Sequence, residues 1–312
     1  MRASKLQFYI AECAELFRFY LPKCFPATTR IKYLQYLSRK YVEPRLAVAD
    51  FPPKISLETR TKCNGHCPFC AASVESETRP DTVMPEELFK KVVSELAARD
   101  YRGLLTFSGN NEPLLDKRIA EWIGYARQNL PAARLGLMTN GVLLTSKLGR
   151  QLFEAGLDRL QIDNYSTNGV LLKNVTAFMA NVKPLFPDRD IKLFNRRYQS
   201  KMVTNRAGSN PQGIAQVNLP LPCKYLFDQF NITTSGEVCM CCQDIFCSGK
   251  LGNVTSDSVA AVWRSERYQG FRKKILCYDR ASVPLCSGCD FMGFGPGDVS
   301  FPHNVLLRFK LI

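Results

Sequence analysis

Lys54-Ile-Ser-Leu-Glu-Thr-Arg-Thr-Lys-Cys63-Asn-Gly-His-Cys67-Pro-Phe-Cys70 runs from a short alternating segment straight into three closely spaced thiols. Ile55 and Leu57 alternate with polar neighbours, a period of two that predicts a strand delivering the cysteines onto a loop. Downstream, the period switches to that of a helix over about Pro85–Arg99, where Leu88, Val92, Val93 and Leu96 share one face and Thr82 or its neighbours can serve the N-terminus. The alternation then repeats. Strands are expected at Gly103–Phe107, Arg134–Met138, Arg159–Ile162 and Ile191–Phe194, and helices at Lys117–Gln128, Leu144–Ala155 and Val170–Leu185. Repeated β–α units imply a parallel sheet with helices outside, a barrel or part of one, whose site forms at the C-terminal strand ends.

The flanks differ in character. Residues 1–53 predict a basic, aromatic-rich helical extension ending near Pro44 and closed by Pro52-Pro53. Residues 54–215 hold the β–α units, ending in a polar stretch from about Asn195 that predicts a long functional loop or link. Residues 216–312 form a cysteine-rich unit opening on a hairpin, Phe230–Thr233 and Glu237–Met240, with its turn at Ser235-Gly236.

Composition narrows the chemistry. The chain has 312 residues, 46% apolar and 22% charged, ordinary for a globular protein. The apolar run Leu6–Leu21 is broken by Glu12, Glu15 and Arg18, so neither a transmembrane segment nor a signal peptide is expected, and the reading is cytoplasmic. Thirteen cysteines in such a compartment point to metal binding rather than disulfides. With only His66 and His303 present, metal is held mainly by thiolates. The net charge of +14 favours anionic partners, but no arginine-rich tail singles out nucleic acid, and none is expected as a partner.

Cys63, Cys67 and Cys70 can hold three irons of a [4Fe–4S] cube and leave the fourth open; an incomplete zinc site is the other reading of three thiols. The spacing resembles the radical S-adenosylmethionine (SAM) superfamily, and further segments extend the likeness over residues 54–312. Ser108-Gly109-Asn110-Asn111-Glu112-Pro113 resembles that family's Gly-Gly-Glu-Pro motif, with an asparagine in place of the second glycine. Thr139-Asn140-Gly141 and Asp163-Asn164-Tyr165-Ser166 resemble elements beside the SAM site, and Phe69 stands at the family's aromatic position. The resemblance implies a partial (β/α)6 barrel. It also implies SAM contacts from Phe69, Asn111, Glu112, Asn140, Asp163 and Ser166, and reductive cleavage of SAM to a 5′-deoxyadenosyl radical.

Cys223, Gly236, Cys241 and the pair Cys286–Cys289 resemble the SPASM/twitch domain that follows many such barrels, supported by Gly252-Asn253-Val254 and Trp263. With no cysteine after Cys289, the resemblance implies one auxiliary [4Fe–4S] cluster on Cys223, Cys241, Cys286 and Cys289. Cys239 and Cys242 compete for the second of these places, and a four-thiolate zinc ribbon is the alternative. The order of the cysteines is similar to that of aminoglycoside-pathway dehydrogenases and epimerases.

The remaining cysteines, Cys13, Cys24, Cys247 and Cys277, read first as packing residues. Cys247, just after the cluster-binding turn, is also the candidate hydrogen-atom donor that an epimerase requires. Arg206 is a candidate anchor for a substrate phosphate or carboxylate. The expected enzyme takes hydrogen from a sugar or cyclitol alcohol, which a phosphorylated, nucleotide-linked or lipid-linked substrate would suit, and draws electrons from a low-potential donor such as flavodoxin or ferredoxin. The competing function is maturation of a ribosomal peptide.

Overall fold

A computed structural model describes residues 27–74, 76–197, 205–210 and 220–294. Leu6–Leu21, Cys13, Cys24 and His303 lie outside them. Helix α1 (Ala27–Leu37) continues through single turns at Ser38–Val42 and Glu43–Arg45 into strand β1 (Lys54–Leu57). Four helix–strand units follow: α2 (Glu86–Ala97) and β2 (Leu104–Thr106), α3 (Ile119–Asn129) and β3 (Arg134–Thr139), α4 (Ser146–Glu154) and β4 (Arg159–Ser166), α5 (Lys173–Asn181) and β5 (Asp190–Arg197). The cysteine-rich unit contributes α6 (Tyr225–Asp228), β6 (Gln229–Ile232), β7 (Glu237–Cys239), β8 (Gly252–Asn253), α7 (Val259–Arg264), α8 (Glu266–Leu276) and α9 (Pro284–Ser287).

All eight strands form one sheet, in the order β5-β4-β3-β2-β1-β6-β7-β8. Strands β1 to β5 are parallel neighbours in chain order, as short β–α–β crossovers favour. The sixth parallel strand is β6, the first arm of the C-terminal hairpin, which pairs with β1 so that Lys54 faces Gln229 and Ser56 faces Asn231. Strands β7 and β8 then run antiparallel. One sheet therefore spans the barrel half and the cysteine-rich unit.

A parallel sheet packed on both faces has strands that read as unbroken apolar runs, and these strands alternate instead. On β1 Ile55 and Leu57 are fully buried in the hydrophobic core, whereas Lys54, Ser56 and Glu58 line a cavity. Leu105, Leu135, Leu137, Leu160 and Ile162 join the apolar side. The helices cover that side with Leu88, Phe89, Val92, Val93 and Leu96 of α2 and Ile119, Trp122 and Ile123 of α3, the rings of Phe89 and Trp122 stacking at 4.1 Å. The other side of the sheet is polar and open, a lumen rather than a second core.

One local expectation changes. Helix α2 has Pro85 at its N-cap, and the Thr82 hydroxyl is shared with Thr234 at 2.7 Å, tying the barrel to the hairpin turn. The described part of the N-terminal extension clamps onto the cysteine-rich unit. Gln35 donates to the Pro220 carbonyl (3.2 Å), Trp263 donates to that of Ala49 (2.8 Å), and Tyr278 bonds Glu43. No helix among the described residues is long and apolar enough to cross a membrane.

Candidate functional site

The Cys63–Cys70 loop is folded by its own backbone. Cys70 N–H donates to the Cys67 carbonyl (3.0 Å), Ser73 to that of Cys70 (3.0 Å) and Val74 to that of Gly65 (2.9 Å). Gly65 sits inside the ring of thiols: a Cβ there would lie 3.3 Å from Cys63 Sγ and 3.8 Å from Cys67 Sγ, closing the space between them. Arg79 locks the loop's flanks, pairing with Glu58 (3.0 Å) and Glu77 (2.8 Å) and donating to the carbonyls of Thr61 (2.9 Å) and Asn110 (2.7 Å). Ala71 and Ala72 pack on Ile245, so the cysteine-rich unit lies against this loop.

The strand-end motifs gather around it. Glu112, 1% exposed, is consumed within the protein, accepting from Leu114 N (3.0 Å), Thr139 Oγ1 (2.7 Å) and Asn140 N (2.7 Å). Burial pushes its carboxyl above the usual range while these three donors pull it back. Its role here is to join the β2 and β3 loops. Asn140 reaches on to Asn64 Oδ1 (2.8 Å) and to Cys63 Sγ (3.8 Å). Asn111 accepts from Gly109 N (2.8 Å), but its Nδ2 is buried with no partner, a donor awaiting an acceptor. Phe69 packs edge-on against Tyr165 at 5.1 Å, Gln161 donates to Asp163 Oδ2 (3.0 Å), and the Ser166 hydroxyl accepts from Gly169 N (2.8 Å). A Glu112→Ala chain should lose about 3 kcal/mol or more of stability, because three buried donors lose their acceptor; chemical denaturation under nitrogen reads the midpoint shift.

The second set of thiols lies on three segments. Cys223 precedes α6, Cys241 follows β7, and Cys286 and Cys289 flank the end of α9. Mutual repulsion links Cys223 with Cys241, Cys242, Cys286 and Cys289, and Cys241 with Cys242 and Cys286, so these five thiols share one neighbourhood. Cys242 also lies next to Lys54 and Arg206. Cys239 does not join them: its thiol pairs with that of Cys247, which sits at a backbone φ of +50°. Cys247 is absent from the cavity lining, whereas Cys239, Cys241 and Cys242 are present in it.

Arg280 carries no motif and was invisible to pattern reasoning. Only 1% exposed, it donates to the carbonyls of Leu221 (2.5 Å), Pro222 (3.2 Å) and Phe291 (2.6 Å), and its charge partly offsets the upward push that burial gives Cys223, Cys286 and Cys289. It ties two ligand-bearing segments together and offsets thiolate charge. Gly293 makes that approach possible, since a Cβ there would stand 2.0 Å from the Pro222 carbonyl oxygen at a φ of +91°. We expect Gly293→Ala to assemble only about half the iron of the parent chain, measured after anaerobic reconstitution.

None of the eleven described cysteines is in a disulfide. Burial pushes Cys63 and Cys223 up to about 11 and Cys286 up to about 12, so these thiols need a cation to become thiolates. Among the described residues no three Cys, His, Asp or Glu side chains converge on one point as a single metal ion demands. A cubane, with one thiolate on each iron, spreads its ligands more widely and fits both sets.

A cavity of about 320 Å³ is lined by Lys54, Ser56, Glu58, Asn110, Arg206, Gln229 and Asn231 among others. Arg206 spans it, donating to Asn110 Oδ1 (2.6 Å), the Cys242 carbonyl (3.3 Å) and Cys70 Sγ (3.5 Å). Of the polar stretch leading to β6, residues 198–204 and 211–219 lie outside the described residues.

Residues 57–180 match the Radical SAM superfamily, and residues 223–290 match SPASM, an iron–sulfur cluster-binding domain. The S-adenosyl-L-methionine-dependent 2-deoxy-scyllo-inosamine dehydrogenase of Niallia circulans is 25% identical, over 76% of this chain and 92% of its own length. A tungsten-containing aldehyde ferredoxin oxidoreductase cofactor-modifying protein of Pyrococcus furiosus is 27% identical, over 76% of this chain and 88% of its own. The crystal structure of BtrN in complex with AdoMet and 2-DOIA superposes with a TM-score of 0.67 at 24% identity, covering 77% of this chain and 93% of that one. The two matched domains imply SAM, a radical SAM [4Fe–4S] cluster and auxiliary iron–sulfur, and the donor sets above suit them.

Proposed function

Because this chain belongs to the radical SAM superfamily and carries a SPASM cluster-binding domain, we propose that it oxidises a ring alcohol of the sugar or cyclitol class. The observation that carries this reading is a cavity lined by both polar and apolar side chains and by Cys241 and Cys242, from which Arg206 reaches Cys70 Sγ as well as the Cys242 backbone. The dehydrogenase of Niallia circulans, named for a cyclitol substrate, supports the same class. We assign the SAM-binding cluster to Cys63, Cys67 and Cys70, and one auxiliary cluster to Cys223, Cys241, Cys286 and Cys289. The Cys247 thiol beside Cys239 favours Cys241 or Cys242 for the second auxiliary place. SAM contacts are assigned to Phe69, Asn111, Glu112, Asn140, Asp163 and Ser166, Glu112 acting by holding the Asn140 backbone. The domain limits proposed are 1–53, 54–215 and 216–312.

When bound and reduced, the first cluster and SAM supply a carbon radical that removes one hydrogen atom from the substrate carbinol. An auxiliary cluster held by the second thiol set would supply a one-electron acceptor, so that loss of that electron and of the hydroxyl proton would leave a ketone. The protein's share is to hold the ring between the two sites, with Arg206 and the polar faces of β1 and β6 fixing its orientation. A low-potential flavodoxin or ferredoxin would reduce the first cluster.

Inversion of the same carbon is the second reading, because the cavity presents thiols. Cys242 lines it and Cys247 does not, so Cys242 is the better-placed hydrogen donor. Turnover in deuterium oxide separates the outcomes. A ketone free of solvent deuterium at carbon supports oxidation. An inverted alcohol carrying deuterium, lost in Cys242→Ala or Cys247→Ala, replaces it with epimerisation.

A further inference from the structure

The cavity's charge selects the substrate further, and this rests on the ring-alcohol reading above. Two carboxylates line it, and both are committed. Glu58 is paired with Arg79 at 3.0 Å and accepts from Asn110 N at 3.1 Å. Asp244 accepts from Ser248 N (2.8 Å), Ser248 Oγ (2.9 Å) and Gly249 N (2.8 Å). An ammonium entering this space would shed its water and find no uncommitted carboxylate in exchange, an unfavourable burial.

Lys54 is the opposite case. It lines the cavity and makes no salt bridge with any carboxylate among the described residues. Its strand places it four residues before Glu58 on the same face, about 13 Å below the rim where SAM is expected. The anionic end of SAM is therefore served from elsewhere. Beside Lys54 in register stands Gln229, 7% exposed, whose Oε1 is buried with no partner. One step further along the same pair of strands, Asn231 has an unpartnered Nδ2 and faces Ser56. A buried acceptor and a buried donor with no partner among the described residues, beside a cation that makes no salt bridge there, suit a polyol ligand with an anionic group.

We infer that the substrate is an anionic ring polyol, its carboxylate or phosphate docked on Lys54 and its hydroxyls bonded by Gln229 and Asn231. An acidic group gains a charge-assisted bond there, while an aminocyclitol of the kind named for the Niallia circulans dehydrogenase gains none.

The test is calorimetric titration of the reconstituted, SAM-loaded protein under nitrogen with glucuronate, glucose 6-phosphate, myo-inositol and 2-deoxy-scyllo-inosamine. One of the two anions should bind about ten- to a hundredfold more tightly than myo-inositol or the amine, and the stronger one identifies carboxylate or phosphate. Lys54→Met should erase that advantage and Lys54→Arg should keep most of it, with iron content unchanged in both. Equal binding of charged and neutral rings, or preference for the amine, overturns the inference while the ring-alcohol reading stands. So does an anion preference that survives in Lys54→Met, or a Lys54→Met chain that loses its auxiliary iron, which would make Lys54 a counter-ion of that cluster. If no ring polyol of any charge binds, the ring-alcohol reading falls and this inference falls with it.

Discussion

The Cys67→Ala chain is expected to form at least about a thousandfold less 5′-deoxyadenosine than the parent and to hold about four irons instead of about eight. In the proposed assignment each of the three thiols serves one iron, and the loop holds no fourth cysteine to replace one. The other sulfur or imidazole on this turn besides the three thiols is His66. The loop's backbone bonds do not pass through the Cys67 side chain, since Cys70 N–H uses the Cys67 carbonyl. Folding should therefore survive, and the loss should be specific to the first cluster. The measurement pairs iron analysis with chromatography of 5′-deoxyadenosine after dithionite reduction. Retention of SAM cleavage in this variant would remove the three thiols from the chemistry.

Why this loop was readable from the chain, and other parts were not, follows from the range of the interactions. Cys63, Cys67 and Cys70 act through spacing within one turn-forming segment, which local sequence determines. The strand ends carrying Glu112, Asn140 and Asp163 were likewise located by the switch between periods of two and 3.6. The boundaries moved only by a few residues: β4 runs on to Ser166 and β5 to Arg197, since the two pair along their whole length.

Long-range facts were hidden. That the hairpin arm β6 would lie parallel to β1, putting Gln229 beside Lys54, depends on 174 intervening residues. Three cysteines within four residues gave pattern reasoning no means of choosing among Cys239, Cys241 and Cys242. The structure ends β7 at Cys239 and sets that thiol beside Cys247, while Cys241 and Cys242 both neighbour Cys223. Arg280 was missed because nothing in a lone arginine announces three backbone carbonyls converging on it. The committed or open state of a lumen side chain is equally a product of packing. Glu58 and Lys54 face the same cavity, yet the first is paired with Arg79, twenty-one residues away, while the second is left without a salt bridge among the described residues.

The auxiliary set allows SAM cleavage and substrate oxidation to be separated. In Cys286→Ala the first cluster keeps its ligands, so 5′-deoxyadenosine should still appear within about threefold of the parent rate. Oxidised product should fall by at least about a hundredfold relative to it, because the substrate radical has lost its electron acceptor. The structural basis is the dependence of this site on convergence. Cys286 is 8% exposed, shares its neighbourhood with Cys223, Cys241 and Cys289, and comes from a single turn of helix held by Val283. The alanine leaves a void of one sulfur, costing about 1 kcal/mol, while Arg280 keeps its three carbonyls and holds the segments in place. A fold that survives with one thiolate missing isolates the electron-accepting role. If the variant lacks the second cluster yet makes ketone at the parent's ratio to 5′-deoxyadenosine, the electron leaves by another route and the second cluster is structural. If it instead returns the alcohol with solvent hydrogen at carbon, the radical has been quenched by a cavity thiol. Cys242, which lines the same space, is then the first to replace.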